Sequence, residues 1–425
     1  MSTLLMNSKR ILVWFRNDLR MHDNEMLIEA IAKSDQLLPV YFFDPRHFDE
    51  ANFHKSSLAR THFLLESVAE LRASLQKLGG DILVIHGRPE DHIPELVTRF
   101  EISEVYHHRE VAPAETLVSA NVEDELWKIK VNLKHFIGHT LYNKEDLPFP
   151  IKDIPDVFTQ FKKKTERDAI VKACFDAPEQ ITFVENDDWG VLPVMEDLFP
   201  GRDLEKFAPS IYKGGEQEGL AHLGSLLNAD STIYIKVSSR HADPSGYISH
   251  LSPWLSMGCL SPRKVYWAVK AAEETSGSNS NFSQLILGLF KRDYFRFMFK
   301  KHGAPYLEQI LPSEEQGNTM EYRNLELWKN GETGHAVVDS YMKALNEDGF
   351  ISSYGRVLTA TYLVHVMKVD WTKGAAYFEE QLVDYTAASN WGNWECIASS
   401  VSGSKSKNGF DVDKHLKILN GPAVA

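Results

Sequence analysis

The stretch ILVWF at residues 11–15 is apolar at every position, and PVYFF at residues 39–43 repeats the pattern. An unbroken apolar run of this length is typical of a strand that protein covers on both faces. Further β-rich runs lie at Ile82–Ile85, Glu104–His108 and Leu133–Ile137. Helical patterns alternate with them, at Glu25–Lys33, Ser57–Leu78, Glu90–Phe100 and Ala114–Lys130. This alternation predicts an α/β fold, with a Rossmann-like parallel-sheet domain over residues 1–140.

The rest of the chain changes character twice. Prolines at positions 148, 150, 155, 178, 193 and 200 break up residues 141–202, which we interpret as a linker with one short helix near Asp156–Lys172. Helical patterns then dominate residues 203–425, at Leu260–Glu274, Phe282–Lys301, Ala336–Glu347, Val357–Lys368 and Gly374–Leu382. These patterns predict a C-terminal all-α domain.

Composition excludes several classes of protein. The chain of 425 residues is 43% hydrophobic and carries a formal charge of −13, which argues against a protein that coats nucleic acid indiscriminately. Residues 1–200 hold 23 Lys and Arg against 34 Asp and Glu, whereas residues 201–425 hold 23 against 25. The three cysteines lie far apart, without a zinc-like spacing. We expect a cytoplasmic monomer with free thiols, no metal site and no membrane span.

Two stretches of the helical part carry candidate chemistry. The helix at residues 281–301 has an aromatic stripe, Phe290, Tyr294 and Phe297, which is more often core packing than a binding surface. Arg292 and Arg296 share another face, where they meet phosphates or form salt bridges. The segment DYTAASNWGNWEC at residues 384–396 suits a loop around a buried planar ligand, or a Trp-rich turn of the core. The first strand lacks a GxGxxG turn, so a dinucleotide site of that type is not expected.

Several motifs together resemble the photolyase/cryptochrome family. They are VWFRNDLRMHDNEML (13–27), SHLSPWLSMGCLSPR (249–263), WKNGETG (328–334), VDW (369–371) and DYTAASNWGNW (384–394), in the order and spacing of that family. VFTQFKKKTE (157–166) and SNWGNW (389–394) are similar to its DASH-type branch. The resemblance implies an N-terminal α/β antenna domain and a C-terminal helical domain that holds FAD in a folded shape.

The same resemblance implies roles for individual residues around FAD. The positions that match the lining of its phosphates and ribityl chain are Tyr234, Ser249, Leu251 and Ser252, with Arg292 near the diphosphate. Arg356 and Asp384 match a buried pair beside the isoalloxazine, and Asn390 matches the residue that faces flavin N5. Trp394 and Trp371 match the first two members of an electron-transfer chain. The third tryptophan of that chain is replaced by Asn318, although Tyr322 is nearby, so we expect inefficient photoreduction.

The substrate pocket departs from the family pattern. The pocket glutamate is Gly288, the first stacking tryptophan is Lys291 and the second aromatic residue is Cys396. Stacking contributes about 1–3 kcal/mol per base, and a flipped pyrimidine dimer depends on it. The loss of both rings and of the carboxylate therefore argues against efficient dimer repair. Thr386 and Ser353-Tyr354 also replace polar residues of the flavin region.

Three functions remain open at this point. The first is a blue-light-responsive DASH-like cryptochrome with a sensory or redox role and a signalling partner that the sequence does not identify. The second is a light-driven deoxyribodipyrimidine photo-lyase that repairs cyclobutane dimers in single-stranded or damaged DNA. The third is a nucleic-acid-binding relative that keeps FAD only as a structural group. Glu110 and Glu166 match carboxylates that contact a folate antenna, 5,10-methenyltetrahydrofolate, in relatives.

Overall fold

A five-stranded parallel sheet forms the N-terminal part of the protein. The computed structural model describes residues 8–48, 56–205, 207, 209–228, 249–303, 319–400 and 411–420. The strands are β1 (Arg10–Phe15), β2 (Gln36–Phe43), β3 (Leu83–His86), β4 (Glu104–His108) and β5 (Asn132–Phe136). They are ordered β3-β2-β1-β4-β5, with Ile11 opposite both Leu37 of β2 and Glu104 of β4. Because the order reverses between β1 and β4, a crevice is expected where the carboxyl ends of these strands diverge.

Helices cover both faces of the sheet, as the apolar strands predict. The helices of this region are α1 (Glu25–Lys33), α2 (Leu58–Lys77), α3 (Pro89–Arg99) and α4 (Pro113–Lys128). Leu12, Trp14 and Val40 form one core with α3 and α4. Ile11, Val13 and Phe15 point to the other face and join a core that includes α1, α2 and the C-terminal helices. The two faces are thus both buried, one locally and one against the rest of the molecule.

The segment predicted as a linker is attached to the sheet. The backbone of Leu37 donates to Thr182 O at 2.8 Å and accepts from Val184 N at 3.0 Å. The Val84 N–H donates to Trp189 O at 2.9 Å. The segment contains α5 (Phe158–Asp168) and the short helix α6 (Met195–Leu198). Phe161 of α5 is fully buried against the aromatic stripe of the long helix, so this segment belongs to the core.

The C-terminal part is helical in all its described regular elements. They are α7 (Glu216–Leu227), α8 (Ser252–Ser256), α9 (Pro262–Ser276), α10 (Ser280–His302), α11 (Thr319–Lys329), α12 (Ala336–Asp348), α13 (Ser353–Thr361), α14 (Trp371–Gln381), α15 (Ala387–Ala398) and α16 (Val412–Asn420). The predicted helix Val357–Lys368 instead splits into α13 and a π-helical turn at Tyr362–Val366. The aromatic stripe of α10 is buried, which confirms core packing.

The expectation of a loop or turn at residues 384–396 is wrong for most of that segment. Helix α15 begins at Ala387 and continues through Trp394. The glycine that suggested a loop, Gly392, allows close packing: a Cβ there would lie 2.4 Å from the ring of Phe295 in α10. Tertiary contact therefore outweighs the low helix propensity of glycine.

Buried polar contacts join the two parts. Arg263 of α9 pairs with Asp23 at 2.7 Å, and both side chains are more than nine-tenths buried. Glu216 of α7 accepts from the backbone N–H of Met21 at 2.7 Å. Arg20 donates to Gly258 O and Gly138 O, both at 2.9 Å. Among the described helices, none is long and apolar enough to cross a membrane.

Candidate functional site

An ion pair lies between α13 and the turn before α15. Nη2 of Arg356 donates to both carboxylate oxygens of Asp384, at 2.9 and 2.8 Å, and Nε donates to Ile351 O at 2.9 Å. The Asp384 side chain is 2% exposed, whereas that of Arg356 is 27% exposed. Nη1 of Arg356 has no hydrogen-bond partner among the described residues, so the guanidinium keeps donors for a ligand.

Helix α15 presents Asn390 and Trp394 on the same face, four residues apart. The amide of Asn390 donates to Ala375 O of α14 at 2.9 Å, which fixes the orientation of this buried side chain. Trp394 is 2% exposed, and its ring centroid lies 5.1 Å from Phe378 and 6.0 Å from Trp328. One face of α15 therefore presents a polar amide and a buried indole, a potential electron donor, both held in place by contacts with neighbouring helices.

The residues predicted to line the phosphates lie at the start of α8. Ser249 O accepts from Nε2 of His222 at 2.9 Å, and the next residue, His250, adopts a left-handed backbone with φ 53°. Leu251 is 1% exposed, while Ser249 and Ser252 are half-buried. Tyr234 lies outside the described residues. The contact of these residues with phosphates stays a prediction.

Arg292 of α10 reaches the same segment. Its Nη2 donates to Leu255 O of α8 at 2.7 Å, and its Nη1 donates to His139 O. Burial lowers the pKa of the guanidinium, because the charge loses water and also faces Arg296. Arg292 therefore links α8 to the segment after β5, and its place near a diphosphate stays a prediction.

The substrate-pocket positions lie on α10 and α15. Gly288 is exposed, and a Cβ added there would meet no atom within 4 Å. The Lys291 side chain is exposed, although nearby protein atoms remove part of its hydration and lower its pKa. Cys396 is half-buried, and its carbonyl accepts from Ser400 Oγ at 2.6 Å. The surface that they provide offers no aromatic ring and no carboxylate at these three positions.

The two predicted electron donors, Trp371 and Trp394, belong to separate groups of ring contacts. Trp371 is half-buried, and its only ring contact in the described part of the chain is with Trp391 at 6.0 Å. Trp394 contacts Trp328 instead, a residue that lies in the WKNGETG motif but received no role from the sequence. Asn318 lies outside the described residues. Tyr322 is 66% exposed.

The two predicted antenna carboxylates have different surroundings. Glu110 is 3% exposed and accepts from Arg296 Nη2 at 2.9 Å and from Asn17 Nδ2 at 3.1 Å. His139 Nε2 lies 3.3 Å from the same carboxylate. Although burial raises it, the contact with His139 and the charge of Arg296 hold the pKa of Glu110 well below its usual range. Glu166 is exposed and pairs with Lys162 at 2.6 Å.

Glu110 thus belongs to a closed network at the carboxyl ends of β1, β4 and β5. His108 and Asp18, both fully buried, are joined by a bond of 2.7 Å between Nδ1 and Oδ2. Burial lowers the pKa of His139 to about 4, which keeps its imidazole neutral. A folate could reach Glu110 only after these contacts rearrange, so the antenna assignment stays a prediction. The described residues contain no group of His, Cys, Asp or Glu that could hold a metal ion.

Comparisons with known proteins agree with this architecture. Residues 11–179 match the DNA photolyase family, and residues 286–420 match the FAD binding domain of DNA photolyase. The cryptochrome DASH of Gloeobacter violaceus is 37% identical over 422 residues, which cover 97% of this chain and 83% of that protein. The solved Synechocystis sp. PCC6803 cryptochrome is 35% identical with a TM-score of 0.85, over 99% of this chain and 87% of that one.

A more distant structure shares the same fold. An archaeal photolyase from Sulfolobus tokodaii, solved with two FAD molecules, is 25% identical with a TM-score of 0.72, over 97% of this chain and 87% of that chain. Fold and site together define a two-domain flavoprotein that binds FAD in its helical part. The chain belongs to the photolyase/cryptochrome family, and within it the chain is DASH-like. The predicted family, fold class and FAD cofactor are thereby confirmed.

Proposed function

We propose that this DASH-like cryptochrome responds to blue light by electron loss from Trp394. FAD supplies the light-absorbing group and the electron acceptor. The indole of Trp394 is 2% exposed, so water does not reach the tryptophan radical that electron loss would form there. Asn390 lies one turn before Trp394 on the same face of the helix. The observation that carries the proposal is this buried indole on α15, held between Phe378 and Trp328, together with an Arg356 whose Nη1 has no partner among the described residues.

A sensory or redox role suits the pocket better than dimer repair. Gly288, Lys291 and Cys396 remove the carboxylate and both stacking rings from α10 and α15. Each lost stacking contact costs about 1–3 kcal/mol per base, or roughly 5- to 150-fold in affinity. The exposed Lys291 can still contact a phosphate, so we propose weak binding of single-stranded or damaged DNA without efficient repair.

The test illuminates the reduced, FAD-loaded protein with a dimer-containing single-stranded oligonucleotide and counts the repaired dimers per flavin. We expect repair near the background of a dark control. The triple variant Gly288→Glu, Lys291→Trp, Cys396→Tyr should bind this oligonucleotide at least about tenfold more tightly. The Glu fits because a Cβ at position 288 meets open space. Lys163→Trp, at an exposed lysine of α5, is the control for nonspecific stacking. Efficient repair by the unmodified chain would contradict the sensory role.

We also propose a folate antenna and a cytoplasmic location for this protein. A folate antenna requires Glu110 to exchange Asn17 or His139 for the pterin. A cytoplasmic location suits three cysteines that are all free thiols. We also propose that the protein is a monomer, and size-exclusion chromatography with light scattering measures its oligomeric state directly.

A further inference from the structure

We infer that the electron vacancy on Trp394 moves to the surface through Trp328 and Tyr377, and not only through Trp371. This inference rests on the proposed function, because it needs bound FAD and Trp394 as the first donor. It assigns roles to Trp328 and Tyr377, neither of which the sequence motifs assigned to electron transfer.

The rings form a continuous path. The centroid of Trp394 lies 6.0 Å from that of Trp328, at an interplanar angle of 77°. Phe378 fills the remaining side of this pair, stacked on Trp328 at 5.7 Å and edge-on to Trp394 at 5.1 Å. Tyr377 then contacts Trp328 at 5.8 Å. Electron transfer slows steeply with distance, so successive rings in contact make efficient steps.

Trp328 is built as an internal relay. Its side chain is 0% exposed, and its indole N–H donates to Thr359 O at 3.0 Å. A buried indole with a fixed hydrogen bond holds one orientation toward both neighbours. Because water does not reach the ring, oxidised Trp328 has no external reductant and must take its electron from another side chain.

Tyr377 can serve as the last electron donor of the path. It is half-buried, and its hydroxyl donates at 2.6 Å to Oδ1 of the exposed Asn346. Burial and the nearby carboxylates Glu380 and Glu326 raise the pKa of its phenol. Lys329 lies with Nζ 5.5 Å from the ring centroid, but its charge is paired with Glu326 at 3.0 Å. The ring therefore lies at the solvent boundary, where an oxidised phenol can release its proton.

The electrons balance in each step. Trp394 gives one electron to light-excited FAD, and Trp328 gives one electron to oxidised Trp394. Tyr377 gives one electron to oxidised Trp328 and its phenolic proton to water, which leaves a neutral tyrosyl radical. An external thiol reduces this radical by one electron and one proton, so the tyrosine is regenerated and the thiol is oxidised.

The alternative through Trp371 is less continuous in the described part of the chain. Trp371 contacts Trp391, whose indole N–H donates to Glu379 at 3.0 Å. Neither ring of that pair is in ring contact with Trp394, and Tyr322 has no ring contact there. A vacancy on Trp371 therefore has a longer first step from Trp394, and its one ring contact among the described residues leads to the buried Trp391.

The experiment compares Tyr377→Phe, Trp328→Phe and Trp371→Phe in FAD-loaded protein after a blue flash. Electron paramagnetic resonance with ring-deuterated tyrosine identifies the long-lived radical, and a nitroso spin trap followed by peptide mass spectrometry locates it. We expect a tyrosyl signal at Tyr377 in the wild type. Tyr377→Phe and Trp328→Phe should lose most of that signal, whereas Trp371→Phe should retain most of it.

Tyr266→Phe is the matched control. Tyr266 is half-buried and contacts Trp267 at 5.2 Å, with Lys270 Nζ 5.6 Å from its ring, but no described ring contact joins this pair to Trp394. Tyr377→Phe keeps the ring and removes one hydroxyl, so it remains informative if Trp328→Phe does not fold. An unchanged radical in Tyr377→Phe, or its loss in Trp371→Phe alone, would overturn the inference. Absence of FAD, or full photoreduction in Trp394→Phe, would instead contradict the proposed function.

Discussion

The crevice of the sheet and the α13–α15 layer of the helical part both bury charge, but in opposite ways. In the crevice, Glu110 is surrounded by Arg296, Asn17 and His139, and its carboxylate is satisfied by the protein itself. In the helical layer, the Arg356–Asp384 pair lies beside Phe350, whose ring centroid is 5.2 Å from the guanidinium, and Arg356 keeps donors without a described protein partner. The first arrangement is closed, and the second is open to a ligand.

The two regions use their buried polar groups for different purposes. In open parallel sheets, ligands usually bind in the crevice at the switch point between strands. Here α10 fills that place: Arg296 pairs with Glu110, and Asp293 accepts from the backbone N–H of Leu141 at 3.0 Å. The crevice therefore holds the two parts of the molecule together, and cofactor binding has its own site among the helices.

The largest expected effect is on stability, from Arg296→Ala. This change leaves Glu110 buried without its main cation, a situation that costs about 3–5 kcal/mol. Urea unfolding followed by circular dichroism measures the loss. Arg323→Ala, at an exposed arginine of α11, should change stability by less than about 0.5 kcal/mol. A loss below about 1 kcal/mol for Arg296→Ala would show that water enters the crevice and that the network is not closed.

The next effect concerns the open site, through Arg356→Ala. Removing the guanidinium deletes the partner of the buried Asp384 and the Nη1 donor, which has no partner among the described residues and which we propose faces FAD. A hydrogen bond to a charged group contributes about 1.5–3 kcal/mol, so FAD affinity should fall by about 10- to 100-fold. Equilibrium dialysis of apoprotein with FAD measures it, again with Arg323→Ala as the control. Equal affinities in both variants would place FAD elsewhere.

The strands and helices of the N-terminal part were predictable because the sequence patterns that indicate them are local. Glu25–Lys33 and Glu104–His108 have the same bounds in the sequence pattern and in the structure. Such elements follow from apolar periodicity alone. The helix from Ala387 to Ala398 was not predictable in this way, because its asparagines and Gly392 are typical of turns. Its helix depends on packing against Phe295, which is 97 positions earlier by residue number and invisible to a local pattern.

The site was predictable only in part for the same reason. Family motifs predict that Arg356, Asp384 and Asn390 are neighbours of FAD, and this stays a prediction. The sequence predicted a salt bridge or a phosphate contact for Arg296, but it could not identify the partner Glu110, which is 186 residues away. Trp328 lies within one of the family motifs, but the motif does not show that its ring contacts Trp394. Contacts between distant segments require the fold.

The smallest expected effect is on the pH dependence of stability, and it concerns the crevice. Burial lowers the pKa of His139 from 6.5 to about 4, although Glu110 opposes this and Arg296 and His108 reinforce it. The unfolded chain therefore takes up a proton near pH 6.5 that the folded chain does not. The stabilising contribution of His139 is present above pH 6.5, and it is lost as pH falls towards 4.

Between about pH 7 and about pH 5.5, His139 alone should lower the free energy of unfolding by about 1 kcal/mol. His107 is buried and His135 is half-buried, and both have lowered pKa values, so the pH dependence of the wild type has several sources and only the variant isolates one. His139→Gln should flatten the dependence by that amount, while His86→Gln, at an exposed position of β3, should leave it unchanged. The pKa of Glu110 lies below this pH range, so its titration does not contribute to the difference between the wild type and the variant. A variant slope equal to the wild-type slope would mean that His139 is protonated in the folded crevice, and that the network is held together by ionic pairing with Glu110.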